Sequence, residues 1–205
     1  MLWVIKEKLN DPDIRSALRA YLERNGSAVK DEMSHGMGAG YDVVEITSTN
    51  INGYEIKSDI DTLRRLKGQV VMYNLTFDYC TIVTTDRYIK KVVGILPEWW
   101  GIIRASPGVT IEVARDPKPS PEDIKSRKMY QAWLMWNGEY EDLCRRYDCL
   151  KGKGRSATAM RERLIGKIGE EAFKKELHKV LSERVMGSWQ EKYSKKAIRE
   201  RSKCT

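Results

Sequence analysis

No run of this 205-residue chain approaches the roughly 18 consecutive apolar residues that a bilayer-spanning helix needs, so no membrane partner is expected. The opening stretch, "MLWVIKEKLNDP", has only a short apolar start and no long apolar core. A signal peptide is therefore not expected, and the compartment reads as cytoplasmic. Cysteine is sparse and poorly spaced. Cys80, Cys144, Cys149 and Cys204 contain no paired CxxC, which argues against a zinc site or a disulfide framework and for free thiols. Glycines occur at 36, 38 and 40, but no GK[ST] and no helical pattern follow, which excludes a phosphate loop. Near-duplicate repeats are absent.

What is present is the composition of a folded protein, 41% apolar and 32% charged. The net charge of +8 is unevenly spread. Met1 to Pro117 carries 15 Lys and Arg against 16 Asp and Glu; Lys118 to Thr205 carries 22 against 13. A near-neutral first part joined to a basic second part suggests a core with a polyanion-binding extension. The proline-rich "ARDPKPSPED", near Asp116 to Ser120, places the boundary between a core at 1–116 and an extension at 117–205.

"NDPDIRSALRAYLERNG" predicts a helix with Asp11 as N-cap, Pro12 in the first turn and Gly26 at the end. "SAVKDEMSHGMGAG" gives no clear element beyond a glycine-rich turn. Tyr41 to Ile46 and Tyr54 to Lys57 read as the strands of a hairpin. A helix is expected from Ser58 or Asp59 through Phe77, with Ile60, Leu63, Leu66, Val70 and Phe77 on its apolar side. A buried strand "YCTIVTT", a helix capped by Thr85 or Asp86, and two further strands follow. Beyond the prolines the pattern is helical. The expected fold class is α/β, a mixed central sheet flanked by helices, with a helical C-terminal extension.

The hairpin concentrates the chemistry. In a strand, residues two apart share a face, so Glu55 and Lys57 point the same way. If paired residue numbers sum to 97 or 99, Asp42 faces Glu55 or Lys57, and two carboxylates meet an amine on one face. That trio suits phosphodiester hydrolysis. Two carboxylates can hold a hard divalent cation, and a lysine can orient water and offset developing charge. The bland alternative is a solvated, salt-bridged strand. Gln69 and Tyr73, four apart on one helix face, add a donor and a hydroxyl beside it.

In order, the motifs are "GYD" ending at Asp42, "EIK" from Glu55 to Lys57, and "QVVMY" from Gln69 to Tyr73. Together they resemble the PD-(D/E)XK nuclease superfamily, and the Q-x-x-x-Y element resembles that of RecB-type members. The string "GYEIKSDIDTLRRLKGQVVMY…FDYCTIV…LPEWWGI" is similar to a bacterial and phage family assigned to that superfamily. The likeness covers roughly Val29 to Ile103. It implies a restriction-endonuclease-like core and a Mg²⁺-dependent deoxyribonuclease, with Mn²⁺ able to substitute, in a bacterial or phage-infected cell. It implies Asp42, Glu55 and the backbone carbonyl of Ile56 as metal ligands. Lys57 would act on the attacking water, with Gln69 and Tyr73 completing the catalytic set. Glu32 matches a further upstream acid, in competition with Asp31 and Glu23. Tyr41 departs from the pattern, because related sequences often carry a basic residue there.

DNA is the expected partner, and a homodimer is left open. Arg64 and Arg65 lie near the expected site. In the tail, "LCRRYDCLKGKGRSATAMRERLIGKI" reads as helix, basic loop, helix, with Ser156 as a cap; it faintly resembles a SAP-like module. Lys151, Lys153, Arg155, Arg161 and Arg163 suit phosphate binding there. The rival function is a nucleic-acid-binding protein that keeps a nuclease-like fold without catalysis. Trp99 and Trp100 read as structural.

Overall fold

The computed structural model describes residues 8–34, 40–121, 124–152, 154 and 156–185. The chain forms two compact units, Met1–Leu134 and Met135–Thr205. The first contains α1 (Asp11–Glu23), β1 (Ala28–Ser34), β2 (Gly40–Ile46), β3 (Ile51–Lys57), α2 (Leu66–Thr76), β4 (Tyr79–Thr85), α3 (Asp86–Val93), β5 (Gly101–Ser106), β6 (Thr110–Arg115) and α4 (Ile124–Ala132). The fold is α/β, with a mixed six-stranded sheet in the order β1-β2-β3-β4-β5-β6. Strands β1, β2 and β3 pair antiparallel. The β3–β4 and β4–β5 pairs are parallel, each joined by one helix, and β6 closes antiparallel on β5.

Helix α1 is held at its start by a reciprocal cap. The Asn10 side chain accepts from the Asp13 amide at 3.0 Å, and the Asp13 carboxylate accepts from the Asn10 amide at 3.3 Å. Asn10, not Asp11, is therefore the cap, and Asp11 is left free to pair with Arg15. Ile14, Leu18 and Leu22 recur four apart and are fully buried against Val43, Tyr54, Ile56 and Val83 of the sheet. Each such side chain contributes about 1.5–3 kcal/mol of burial.

The opposite face is set by Gly53. A Cβ there would stand 2.2 Å from the Phe77 ring at the end of α2. Gly53 and Tyr54 are successive and point to opposite faces, so α1 covers Tyr54 and Ile56, and Phe77 covers Gly53. Glu55 and Lys57 share Gly53's side.

Two elements differ from expectation. Strand β1 has no clear signature in the sequence because only Val29 and Met33 are buried, and charged residues fill the positions between. Helix α2 starts at Leu66 rather than Ser58. The intervening residues form turns because their side chains bond nearby backbone in non-helical ways. Asp61 accepts from the Ser58 amide at 2.9 Å and hydroxyl at 2.6 Å. Asp59 accepts from the Leu9 amide at 2.8 Å and the Thr85 hydroxyl at 2.6 Å. Ile60, expected on an apolar side, is 70% exposed.

The first unit runs past the proline-rich stretch. That stretch is tied back to the sheet side by Lys118 N to Trp99 O at 2.8 Å and Ser120 N to Asp78 O at 2.9 Å. Arg127 of α4 then donates to Ser120 O at 2.7 Å and to Asp78 at 3.3 Å. Trp100 is buried and donates to Asn74 at 2.7 Å, in agreement with a structural role.

The second unit contains α5 (Asn137–Arg146), α6 (Ala157–Ile168) and α7 (Glu170–Glu183). Ser156 caps α6 as expected, accepting from the Ala159 amide at 3.2 Å. Arg184 forms a two-pronged buried pair with Glu139 and lies over the Trp136 ring at 4.1 Å. Cys80, Cys144 and Cys149 are free and buried; Cys204 lies outside the described residues. Among the described residues no helix is long and apolar enough to cross a membrane.

Candidate active site

The β2–β3 pairs run from Ile46↔Ile51 to Val43↔Tyr54, so their numbers sum to 97. One step further, Asp42 would oppose Glu55. The two strands part at that step. The Asp42 carboxylate takes over from the ladder, its Oδ2 accepting from the Ile56 amide at 2.8 Å. The Asp42 carbonyl accepts from Arg15 of α1, which also grips Asp11 with Nε to Oδ1 at 2.8 Å.

Glu55 is fully buried and Lys57 is 6% exposed. The Lys57 ammonium donates to Glu55 Oε1 and to the Ile56 carbonyl, the latter at 3.3 Å. Lys57 is held from the far side by Thr84, whose hydroxyl donates to the Lys57 carbonyl at 2.7 Å. Tyr73 reaches the same point from α2. Its hydroxyl donates to the Tyr54 carbonyl at 3.2 Å and accepts from the Asp42 amide at 3.2 Å. It also lies near Glu55, but its proton is directed at Tyr54. Glu55 Oε2 thus has no hydrogen-bond partner among the described residues.

Burial pushes the Asp42 carboxyl above the usual carboxylate range, against the hydrogen bond from Ile56 and the charge of Lys57. Burial also raises Glu55, and the Asp42 charge adds to it, opposed by Lys57. The Tyr73 hydroxyl is raised well above its ordinary value by burial first, then by Glu55 and Asp42. Two carboxylates, one fully buried and one half-buried, are therefore within electrostatic reach of one another and of one lysine, with one oxygen unclaimed.

A family model for Bacteriophage P4 protein cII matches residues 6–203. The chain belongs to that family. Protein cII of Enterobacteria phage P4 is 28% identical over 90 residues, a stretch that spans 42% of this chain and 34% of that protein. The chain thus spans about a third of the length of that relative. The SPO1766 protein of unknown function from Silicibacter pomeroyi superposes with a TM-score of 0.48 at 15% identity. That superposition covers 72% of this chain and 99% of the other, a likeness too slight to bear on function.

Asp42, Glu55, Lys57, Tyr73 and the Ile56 carbonyl come together. Gln69 lies one turn before Tyr73 and borders a cleft of about 470 Å³ together with Arg64 and Arg65. Glu32 is not brought in. It is exposed, with a left-handed φ of 49°, and among the described residues no group of three or more Asp, Glu, His or Cys is placed to hold a metal. Its competitors are engaged elsewhere: Asp31 and Glu23 both pair with Arg19 at 2.7 Å. The residues that sequence reasoning missed are Asp11 and Arg15. Asp11 adds to the rise of the Asp42 carboxyl, and Arg15 offsets it. Their four-residue spacing in "DPDIR" was the available signal.

In the tail, Lys151 is exposed and Arg161 is half-buried. Arg163 donates to the Cys149 carbonyl at 3.1 Å and the Gly154 carbonyl at 3.0 Å, so it braces the loop from within. Lys153 and Arg155 lie outside the described residues.

Proposed function

We propose that this chain is a metal-dependent nuclease that hydrolyses phosphodiester bonds in DNA, with a PD-(D/E)XK-type site at Asp42, Glu55 and Lys57. One observation carries the reading: Glu55 is fully buried and still keeps an oxygen without a hydrogen-bond partner among the described residues, beside the half-buried Asp42 carboxylate and a buried lysine. Such an arrangement costs stability, since buried polar atoms are ordinarily satisfied. Strain of this kind is retained where function needs it.

The donor set is all oxygen: Asp42, Glu55 and the Ile56 carbonyl. That set fits Mg²⁺ or Mn²⁺, which keep waters in their remaining positions. The cation would supply Lewis-acid stabilisation of the phosphoryl oxygen. Asp42 is oriented by the Ile56 amide, and Tyr73 fixes the backbone on both sides of the site. Lys57 places one positive charge where the phosphoryl group gains negative charge, and its low exposure strengthens that effect. The Tyr73 hydroxyl bonds backbone on both strands and lies beside Glu55, so we read it as a positioning residue.

A second reading is a DNA-binding protein that keeps this fold without catalysis. It draws on the direct Lys57–Glu55 contact and on the lack of a third clustered acid among the described residues. Purified protein incubated with linear, circular and single-stranded DNA in Mg²⁺, Mn²⁺ or EDTA separates the two. Metal-dependent cleavage abolished by EDTA is expected. Binding without cleavage in either metal favours the second reading.

A further inference from the structure

The second unit places two thiols side by side at the end of α5. The helix closes with a backbone cap of the Schellman type. The Cys149 amide donates to the Cys144 carbonyl at 2.8 Å, and the Asp148 amide donates to the Arg145 carbonyl at 3.2 Å. Asp148 supplies the left-handed residue that this cap requires, with a φ of 49°. A cap of this type turns the chain back so that the side chains at its two ends meet, and the usual pair is apolar. Here both are cysteine.

Cys144 is fully buried and Cys149 is 9% exposed. Both are free thiols, and they are in hydrogen-bonding contact with one another. Each is also fixed to α6. Cys144 Sγ donates to the Met160 carbonyl at 3.7 Å, and Arg163 Nε donates to the Cys149 carbonyl at 3.1 Å. Burial pushes the Cys144 thiol up to about 12, and the contact with Cys149 adds to that, while the Arg163 charge opposes it. Cys144 is thus a protonated thiol behind a more accessible partner. A disulfide needs Cα atoms about 4.4–6.8 Å apart and side chains that converge. A direct backbone hydrogen bond between the two residues, with their thiols in contact, brings the pair into that class.

We propose that Cys144 and Cys149 form a reversible dithiol–disulfide site whose co-substrate is a low-molecular-weight disulfide. The Cys149 thiolate attacks one sulfur of the reagent and expels one thiol, which takes up the Cys149 proton; a mixed disulfide is left on Cys149. The Cys144 sulfur then attacks the Cys149 sulfur, and the Cys144 proton passes to the second departing thiol. One S–S bond forms in the protein, one is lost from the reagent, and two electrons pass to it. The bridge spans the cap, so it locks the end of α5 from which the loop at Lys151 and Gly152 leaves. It does not rest on the nuclease reading, whose site lies in the first unit.

The test equilibrates the full-length protein in glutathione buffers of rising oxidised fraction, with acid quenching, alkylation and peptide mapping by mass spectrometry. A Cys144–Cys149 bridge is expected, with Cys80 alkylated. The effective concentration of the pair, read from the midpoint, should be about tenfold or more higher in the native protein than in urea, and the oxidised protein should melt at a higher temperature than the reduced one. Cys144→Ser should trap the mixed disulfide on Cys149, whereas Cys149→Ser should leave Cys144 unmodified. Asp148→Pro cannot take the left-handed φ and lacks the amide that bonds Arg145. It should bring the effective concentration towards the urea value, with circular dichroism reporting whether it folds; if it does not, the wild-type comparison decides.

Equal effective concentrations in native protein and in urea would overturn the site. So would a bridge from either cysteine to Cys204 in place of the internal pair, or glutathione held on Cys149 of the wild type with no bridge. A folded Asp148→Pro with the wild-type value would overturn it as well, because the cap would then not be what joins the two thiols.

Discussion

The β2–β3 hairpin buries a glutamate at each end, and the two are treated in opposite ways. At the closed end, Glu45 is 7% exposed. Its Oε1 accepts from Ser27 at 2.7 Å, and its Oε2 accepts from Asn52 at 2.8 Å and Tyr54 at 2.9 Å. Three neutral donors satisfy it, and the strands stay paired. At the open end, Glu55 is more deeply buried and less well satisfied, with one lysine, a neighbouring carboxylate and a spare oxygen. The strands part there, and side chains take the place of ladder bonds. One end is built to be stable; the other keeps an unmet valence that a ligand can fill.

Breaking the open end should give the largest effect. Lys57→Met keeps the packing stem and removes the charge. Single-turnover cleavage is expected to fall about 10² or more, with Mn²⁺ binding by calorimetry retained. A wild-type rate would reduce "EIK" to a salt-bridged strand. Asp42→Asn sharpens the same point, because the amide oxygen can still accept from Ile56. The fold should persist, while the stabilisation that Mn²⁺ confers in thermal melts should vanish along with cleavage.

Breaking the closed end should move stability instead. Glu45→Ala strands several buried donors and is expected to cost about 2–3 kcal/mol in urea unfolding. The Mn²⁺-dependent rise in melting temperature should be untouched. If that rise disappears as well, the two ends are not independent.

Tyr73→Phe tests the link between α2 and the parted strands. Loss of the shared hydroxyl should cost about 1 kcal/mol of stability. Cleavage should fall about tenfold, as is usual for groups that orient ligands, with DNA affinity in EDTA unchanged. The smallest effect is expected from Lys151→Ala in the second unit. One exposed lysine should weaken DNA binding about twofold or less and flatten the salt dependence by no more than about 1.

The candidate site was legible because strand periodicity is strict. Once Glu55 and Lys57 lie on one strand, their shared face follows, and the hairpin leaves few registers for Asp42. Glu32 could not be judged that way. Its strand has only two buried residues, and its backbone turns left-handed at that position, so alternation gives no guide to where the side chain goes. Helix α2 was read eight residues too early because Ile60 and Leu63 mimic a helical stripe. Asp59 and Asp61 instead fasten Leu9, Ser58 and Thr85, which lie partly far along the chain.

The sequence by itself determined the mixed α/β class, the helix α1, the hairpin and the company of Asp42, Glu55 and Lys57. These depend on local periodicity and turn chemistry. Only the tertiary structure decided that Glu45 is satisfied while Glu55 is not, and that Asp11 and Arg15 stand behind Asp42. Each of these is a count of hydrogen-bond partners drawn from distant segments, and such partners are fixed by packing rather than by neighbouring residues.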